Sequence, residues 1–153
     1  MRKRCRRKVW STDINPIAHA IAGACITDTG SLNELRLNEL KSLEAMKNGT
    51  AGVQEWQILA DMMNISETMG RNGIGPEVLE HCEIANEALH RAAKRYEATK
   101  KMGLSGEGLR ALGDILAYHD LQRTSVSRAK YQQMIEKTTN YLKSHGKYVT
   151  HIE

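Results

Sequence analysis

Apolar residues recur along this chain at helical spacing, and no stretch alternates apolar and polar positions with the β-branched residues of a strand. Leu32, Leu35, Leu40, Leu43 and Met46 fall on one face of a helix that Ser31 and Glu34 would open as a capping box and Asn48-Gly49 would close. Thr50 is placed to cap the next helix. There Trp56, Leu59, Ala60 and Met63 form one stripe and Ile58, Met62, Ile65 and Met69 a second, the pattern of a central helix packed from more than one side. Gly70, Gly73 and Gly75 interrupt the pattern ahead of Pro76, where the longest helix begins. It carries Val78, Cys82, Ala85, Leu89, Ala92 and Tyr96 and runs to about Met102, with Gly103 as its stop.

Ser105 then caps a fifth helix, with Leu109, Leu112 and Leu116 on its inner side, and the chain turns near Arg123-Thr124-Ser125. A sixth helix starts at about Ser127, carries Tyr131, Ile135, Thr138 and Leu142 on one face, and ends at His145-Gly146. Upstream of all these, Asn15-Pro16 opens a helix with Ile17, Ile21, Ala24 and Cys25 on one stripe. The connections are short, which favours antiparallel neighbours. The expected fold is all-α: a compact antiparallel bundle of five to six helices spanning residues 13–146, preceded by a basic arm at 1–12 and followed by a tail at 147–153.

Composition supports that picture and sharpens it. The chain has 153 residues, 41% of them hydrophobic, enough for one domain with a core of its own. It has no Phe, so Leu, Ile, Met and Ala must fill that core, a choice that suits helices. Met62, Met63 and Met69 are therefore read as core, with an adaptable binding groove as the less favoured reading. The net charge of +4 hides an asymmetry. Arg2, Lys3, Arg4, Arg6, Arg7 and Lys8 stand within seven positions, and without them the 18 acidic residues outnumber the remaining basic ones. The body is mildly acidic and the arm strongly cationic, suited to phosphates, acidic protein or anionic lipid. A second cationic cluster, Lys94, Arg95, Lys100 and Lys101, crowds the end of the longest helix, where it complements the helix dipole.

Cys5, Cys25 and Cys82 are odd in number, far apart and free of CxxC spacing, which fits a reducing compartment and argues against a disulfide framework or zinc site. The basic N-terminus lacks a following apolar core and no apolar run nears the length of a membrane span, so neither secretion nor membrane insertion is expected.

Candidate chemistry is sparse. His119-Asp120 is the dipeptide around which metal-dependent phosphohydrolases build a site, but the second His-Asp set is missing, and His81 and Asp114 fit the role poorly. Glu80, His81, Cys82 and Glu83 are consecutive on a helix and point in different directions. The glycines of 70–75 follow a helix, not a strand, and lack the Lys-Ser/Thr ending of a phosphate loop, so they read as a flexible connector. The fifth and sixth helices could imitate a helix-turn-helix, with Arg128, Lys130, Gln132 and Gln133 towards base edges.

The opening Arg2–Lys8, the stretch Ile26-Thr27-Asp28-Thr29-Gly30-Ser31-Leu32 running on to Leu43, and Gly103-Leu104-Ser105-Gly106-Glu107-Gly108-Leu109 leading to His119-Asp120-Leu121-Gln122 resemble a group of small helical accessory proteins, of unassigned chemistry, from temperate phages and prophages of Gram-negative bacteria. The resemblance implies a bacterial cytoplasm and a role in blocking host machinery, the setting of anti-defence proteins such as anti-CRISPRs. Combined with the residue-level reading, it leads to a non-enzymatic protein without a cofactor. Such a protein would bind a host protein or nucleoprotein complex and block it stoichiometrically. The contact residues expected are Arg2, Lys3, Arg4, Arg6, Arg7 and Lys8, with Trp10 as an aromatic anchor, and then Lys94, Arg95, Lys100 and Lys101. The alternative is a nucleic-acid-binding regulator that uses the basic arm and the fifth and sixth helices. A hydrolase built on His119 and Asp120 is the third reading.

Overall fold

The structure, a computed structural model, describes residues 29–145. The expected arm, Trp10, the helix opened at Asn15-Pro16, Cys5, Cys25 and the tail lie outside the described residues. Within them are five α-helices and no strand: α1 Thr29–Asn48, α2 Val53–Arg71, α3 Leu79–Thr99, α4 Gly106–Ser125 and α5 Arg128–His145. A single 3₁₀ turn, Pro76–Val78, leads into α3. No described helix is long and apolar enough to cross a membrane.

α2 is the central element, packing against α1, α3, α4 and α5. Both expected stripes explain this: Trp56, Leu59, Ala60 and Met63 are buried on one side, Met62 and Met69 on the other. All three methionines of α2 are therefore core. Trp56 is fully buried and its indole N–H donates to the Leu89 carbonyl at 2.9 Å, so the one polar atom of the ring is satisfied by α3. α3 runs antiparallel to both α2 and α4. Trp56 meets Leu89 while Gly70 meets Leu79 across α2 and α3, and His81 meets Asp114 while Ala88 meets Gly108 across α3 and α4.

Four boundaries differ from the sequence expectation. α1 is already helical at Thr29, so Ser31 sits inside the helix and not at its cap. Thr50 does not cap α2; Gly52 does, its N–H donating to Glu55 Oε2 at 2.8 Å, while the Thr50 hydroxyl turns back towards the Ala45 carbonyl. α3 ends at Thr99, four residues before Gly103, because Lys100 adopts the left-handed conformation (φ 58°) and its N–H closes on the Tyr96 carbonyl at 2.7 Å. α4 continues through Arg123 to Ser125, moving the turn to Val126 and Ser127. By contrast, Ser105 caps α4 as expected, accepting from the Gly108 N–H at 3.1 Å.

The glycine connector is not the flexible link expected of it. Gly70 is still helical and buried, because a side chain there would strike Val78 and Leu79. Gly75 holds φ +61° with Gln122 packed against it, and Gln122 Nε2 donates to the Ile74 carbonyl at 2.7 Å. The turn is fixed by α4.

The inner face of α1 is the largest correction. Leu35 and Leu40 are 44% and 45% exposed, and Leu37, which belonged to no stripe, is 50% exposed. The face turned inward is Leu32, Arg36, Glu39, Ser42, Leu43 and Met46, so two charged positions replace the two leucines. The reason lies across the interface, in the buried Arg123 of α4.

Candidate functional site

Three regions concentrate the chemistry. The first is the α1–α4 seam. Arg123, 1% exposed, donates from Nη1 to Glu39 Oε1 at 3.0 Å and from Nη2 to Glu39 Oε2 at 2.8 Å, and also from Nη2 to Asp120 Oδ1 at 2.7 Å. The second oxygen of Asp120 accepts from Arg36 Nε of α1. Burial pushes the Glu39 carboxyl above its ordinary range against the pull of Arg123. Among the described residues, Arg123 Nε is the buried side-chain polar atom left without a partner. Two acids and two arginines thus link into one network, buried at Arg123 and Glu39 and solvent-facing at Arg36, that sets how α1 lies on α4.

His119 is the neighbour of Asp120 in sequence but not in space. Its ring points towards α2 and α5, with Nδ1 3.2 Å from Gln122 Oε1 and Nε2 3.3 Å from the Tyr131 hydroxyl. Gln122 in turn accepts from the Ser66 hydroxyl at 2.7 Å. Burial, and then the nearby Arg123 charge, push the imidazole down to about 4, so it is neutral at pH 7. His119 and Asp120 thus spend their polar atoms on different partners, with Tyr131 touching both His119 and Arg123 between them. Among the described residues no three His, Cys, Asp or Glu side chains converge on a common point. His81 does approach Asp114, Nδ1 to Oδ2 at 3.4 Å, and packs its ring 5.5 Å from that of Tyr118.

The second region is the end of α3. Lys94, Arg95, Lys100 and Lys101 are all exposed there and joined by Arg91, one turn before Arg95. Arg91 pairs with Glu87 at 2.9 Å, and the Lys100 ammonium lies 5.6 Å from the Tyr96 ring centroid. Among the described residues, Lys94, Arg95 and Lys101 form no ion pair with an acid. Arg91 and Arg95 overhang a shallow recess of about 210 Å³ floored by Ala88, Ala92 and the Gly103–Ser105 loop. The second group of expected contact residues is thus exposed together at the end of α3, with Glu97 exposed among them. Arg2, Lys3, Arg4, Arg6, Arg7, Lys8 and Trp10 lie outside the described residues.

The third region had no counterpart in the sequence reading. α5 docks on α2, through the Thr138 hydroxyl donating to Thr68 Oγ1 at 2.8 Å and Lys137 donating to Asn72. Its principal neighbour is α2, not the preceding α4, which is not how the two helices of a helix-turn-helix support each other. The end of α5 stands away from α3, leaving a trough of about 740 Å³ whose floor is α2. Asn64, Glu67 and Arg71 line the floor, Cys82 and Asn86 the α3 wall, Tyr141 and Leu142 the α5 wall. Cys82 is buried, and burial raises its thiol to about 12, so it lines the trough as a neutral, unreactive group. Periodicity could not have found this site, because it depends on which helix α5 leans against.

The chain was compared with family models, with curated proteins and with solved structures, and it shows no match among any of the three.

Proposed function

We propose that this is a non-catalytic accessory protein of phage type. It acts in the bacterial cytoplasm by binding a host protein or nucleoprotein complex, a CRISPR-type defence complex among the candidates, and blocking it stoichiometrically. The observation that carries this reading is the density of exposed basic residues at the end of α3, where Lys94, Arg95 and Lys101 form no ion pair among the described residues. Such a cluster attracts an acidic partner and raises the rate of encounter, while a helical body behind it supplies bulk to occlude. The basic residues 2–8 add to the same positive charge. The buried networks around Arg123 and His119 support the reading from the other side, since they engage the most reactive-looking side chains of α4 internally.

The test is affinity purification of the full chain from a Gram-negative host, with mass spectrometry of what accompanies it. It is then repeated with Lys94→Glu, Arg95→Glu, Lys100→Glu and Lys101→Glu combined. A specific partner that the charge-reversed protein loses supports the reading. No partner, or one retained at equal yield, contradicts it.

The exposure of Arg128, Lys130, Gln132 and Gln133 on α5 favours a second reading, a nucleic-acid-binding regulator. That protein would bind DNA or RNA unaided, with an affinity falling steeply with salt and lost on deletion of residues 2–8.

A further inference from the structure

We propose that the trough between α3 and α5 receives an extended peptide segment of a partner protein and holds its main chain through the side-chain amides of Asn64 and Asn86. The proposal rests on reading the protein as a partner-binding body, but on a different surface from the basic face.

Asn64 is the starting point. It is 9% exposed, on the floor of the trough, and its side-chain amide makes no hydrogen bond among the described residues; its main-chain carbonyl accepts from the Thr68 hydroxyl at 3.0 Å. The buried hydroxyl beside it is satisfied, Thr138 bonding to Thr68 and to the Met134 carbonyl. The Asn64 amide is not sealed in, since among the described residues Arg123 Nε is the buried side-chain polar atom without a partner and the Asn64 amide keeps some contact with solvent. It lines both this trough and a smaller cavity of about 240 Å³ beside it towards Thr138, so the little surface it exposes opens where a ligand can reach. Asn86 is the second such group. It stands on the α3 wall of the same trough, exposed, and its amide is likewise unpaired.

An asparagine amide offers an acceptor and a donor side by side, which matches the N–H and C=O of one residue in an extended chain. Two of them on facing helices can hold a strand of peptide regardless of its side chains. The remaining lining favours a peptide over a small anion. Arg71 is already neutralised by Glu67 at 2.6 Å, while Leu79, Leu142 and the ring of Tyr141 offer apolar surface for alternate side chains. The volume is that of a site for a short segment and not a single ion.

The test is selection of peptides from a displayed random library against the full chain, with binding followed by NMR of the asparagine side-chain amides. Selected peptides should shift the NH₂ resonances of Asn64 and Asn86. Asn64→Leu should bind them roughly tenfold more weakly, the loss of about one hydrogen bond to a buried group, yet melt no lower than wild type because an unpaired amide has been removed. Asn86→Ala, at an exposed position, should weaken binding with an unchanged melting temperature. The proposal is overturned if no peptide is selected, as when a segment of this same chain or a small molecule fills the trough. It is also overturned if the selected peptides shift only other residues, or if Asn64→Leu keeps the affinity or melts lower. The protein reversed in charge at Lys94, Arg95, Lys100 and Lys101 should bind the same peptides as wild type, so failure of the trough and failure of the basic face are read separately.

Discussion

Arg123 and Glu39 meet 84 residues apart in sequence as a two-point ion pair inside the α1–α4 seam, their side chains 1% and 8% exposed. Two parallel N–H···O contacts fix both distance and rotation, so the pair sets the register of α1 on α4. Buried pairs of this kind add little net stability over apolar residues of the same size, yet removing one partner strands the other charge. Glu39→Ala should therefore lower the unfolding free energy by about 3–5 kcal/mol, and the double change Glu39→Leu with Arg123→Met should recover most of that loss. Urea titrations of the three proteins measure both effects. A single variant within about 1 kcal/mol of wild type would contradict this role, since that is the worth of an exposed pair.

His119 gives the protein a pH dependence of definite sign. The unfolded chain takes up this proton near the ordinary value of 6.5, the folded protein only near 4. Stability from His119 is thus complete above pH 6.5 and is lost as pH falls towards 4, by up to about 3 kcal/mol. Glu39, raised by burial, acts in the opposite sense just above its own ordinary value, so the diagnostic quantity is a difference. Between pH 6.5 and 4, the stability of His119→Gln should fall less than that of wild type. Parallel curves would show that the imidazole is not buried neutral.

Lys100 occupies a left-handed position that glycine adopts without cost. Lys100→Gly should raise stability by about 1 kcal/mol, less whatever the contact with Tyr96 contributes. The same change removes one cation from the basic face, so the variant should melt higher and elute from a heparin column at lower salt. A variant that melts lower would mean that the Tyr96 contact outweighs the backbone strain.

Gly108 is where α4 lies closest to α3. A Cβ added there would stand 2.5 Å from Cβ of Ala88, an atom with no rotamer to move to, whereas at Gly106 it would meet nothing within 4 Å. Gly108→Ala should cost about 1–3 kcal/mol, and Gly106→Ala should be neutral or slightly stabilising. Thermal melts of the pair compare a packed and an open glycine two residues apart on one helix.

The sequence made the helices legible because most of them bury ordinary apolar stripes: Trp56 to Met63 on α2, Cys82 to Ala92 on α3, and Leu112 and Leu116 on α4 are buried as their spacing required. It misled on α1, where Leu35 and Leu40 carried the pattern but Arg36 and Glu39 carry the contact. Periodicity counts charged residues as outward-facing, and only a partner as remote as Arg123 reverses that. The same blindness set a turn at Arg123, which is core. Of the candidate sites, the cluster at Lys94–Lys101 could be read from charge density alone. The trough could not, because Asn64 and Asn86 are unremarkable until α2 and α3 bring them to the same cavity.

The central claim, that this protein holds a partner and does not transform it, is tested most directly by titration. Increasing amounts of the chain are added to a fixed concentration of the partner recovered by affinity purification, and the fraction of partner activity lost is measured. The account predicts a linear loss that ends at a fixed whole-number ratio, with the partner recovered unaltered in mass. Complete loss at a small fraction of one equivalent, or a covalently changed partner, would show turnover and contradict it.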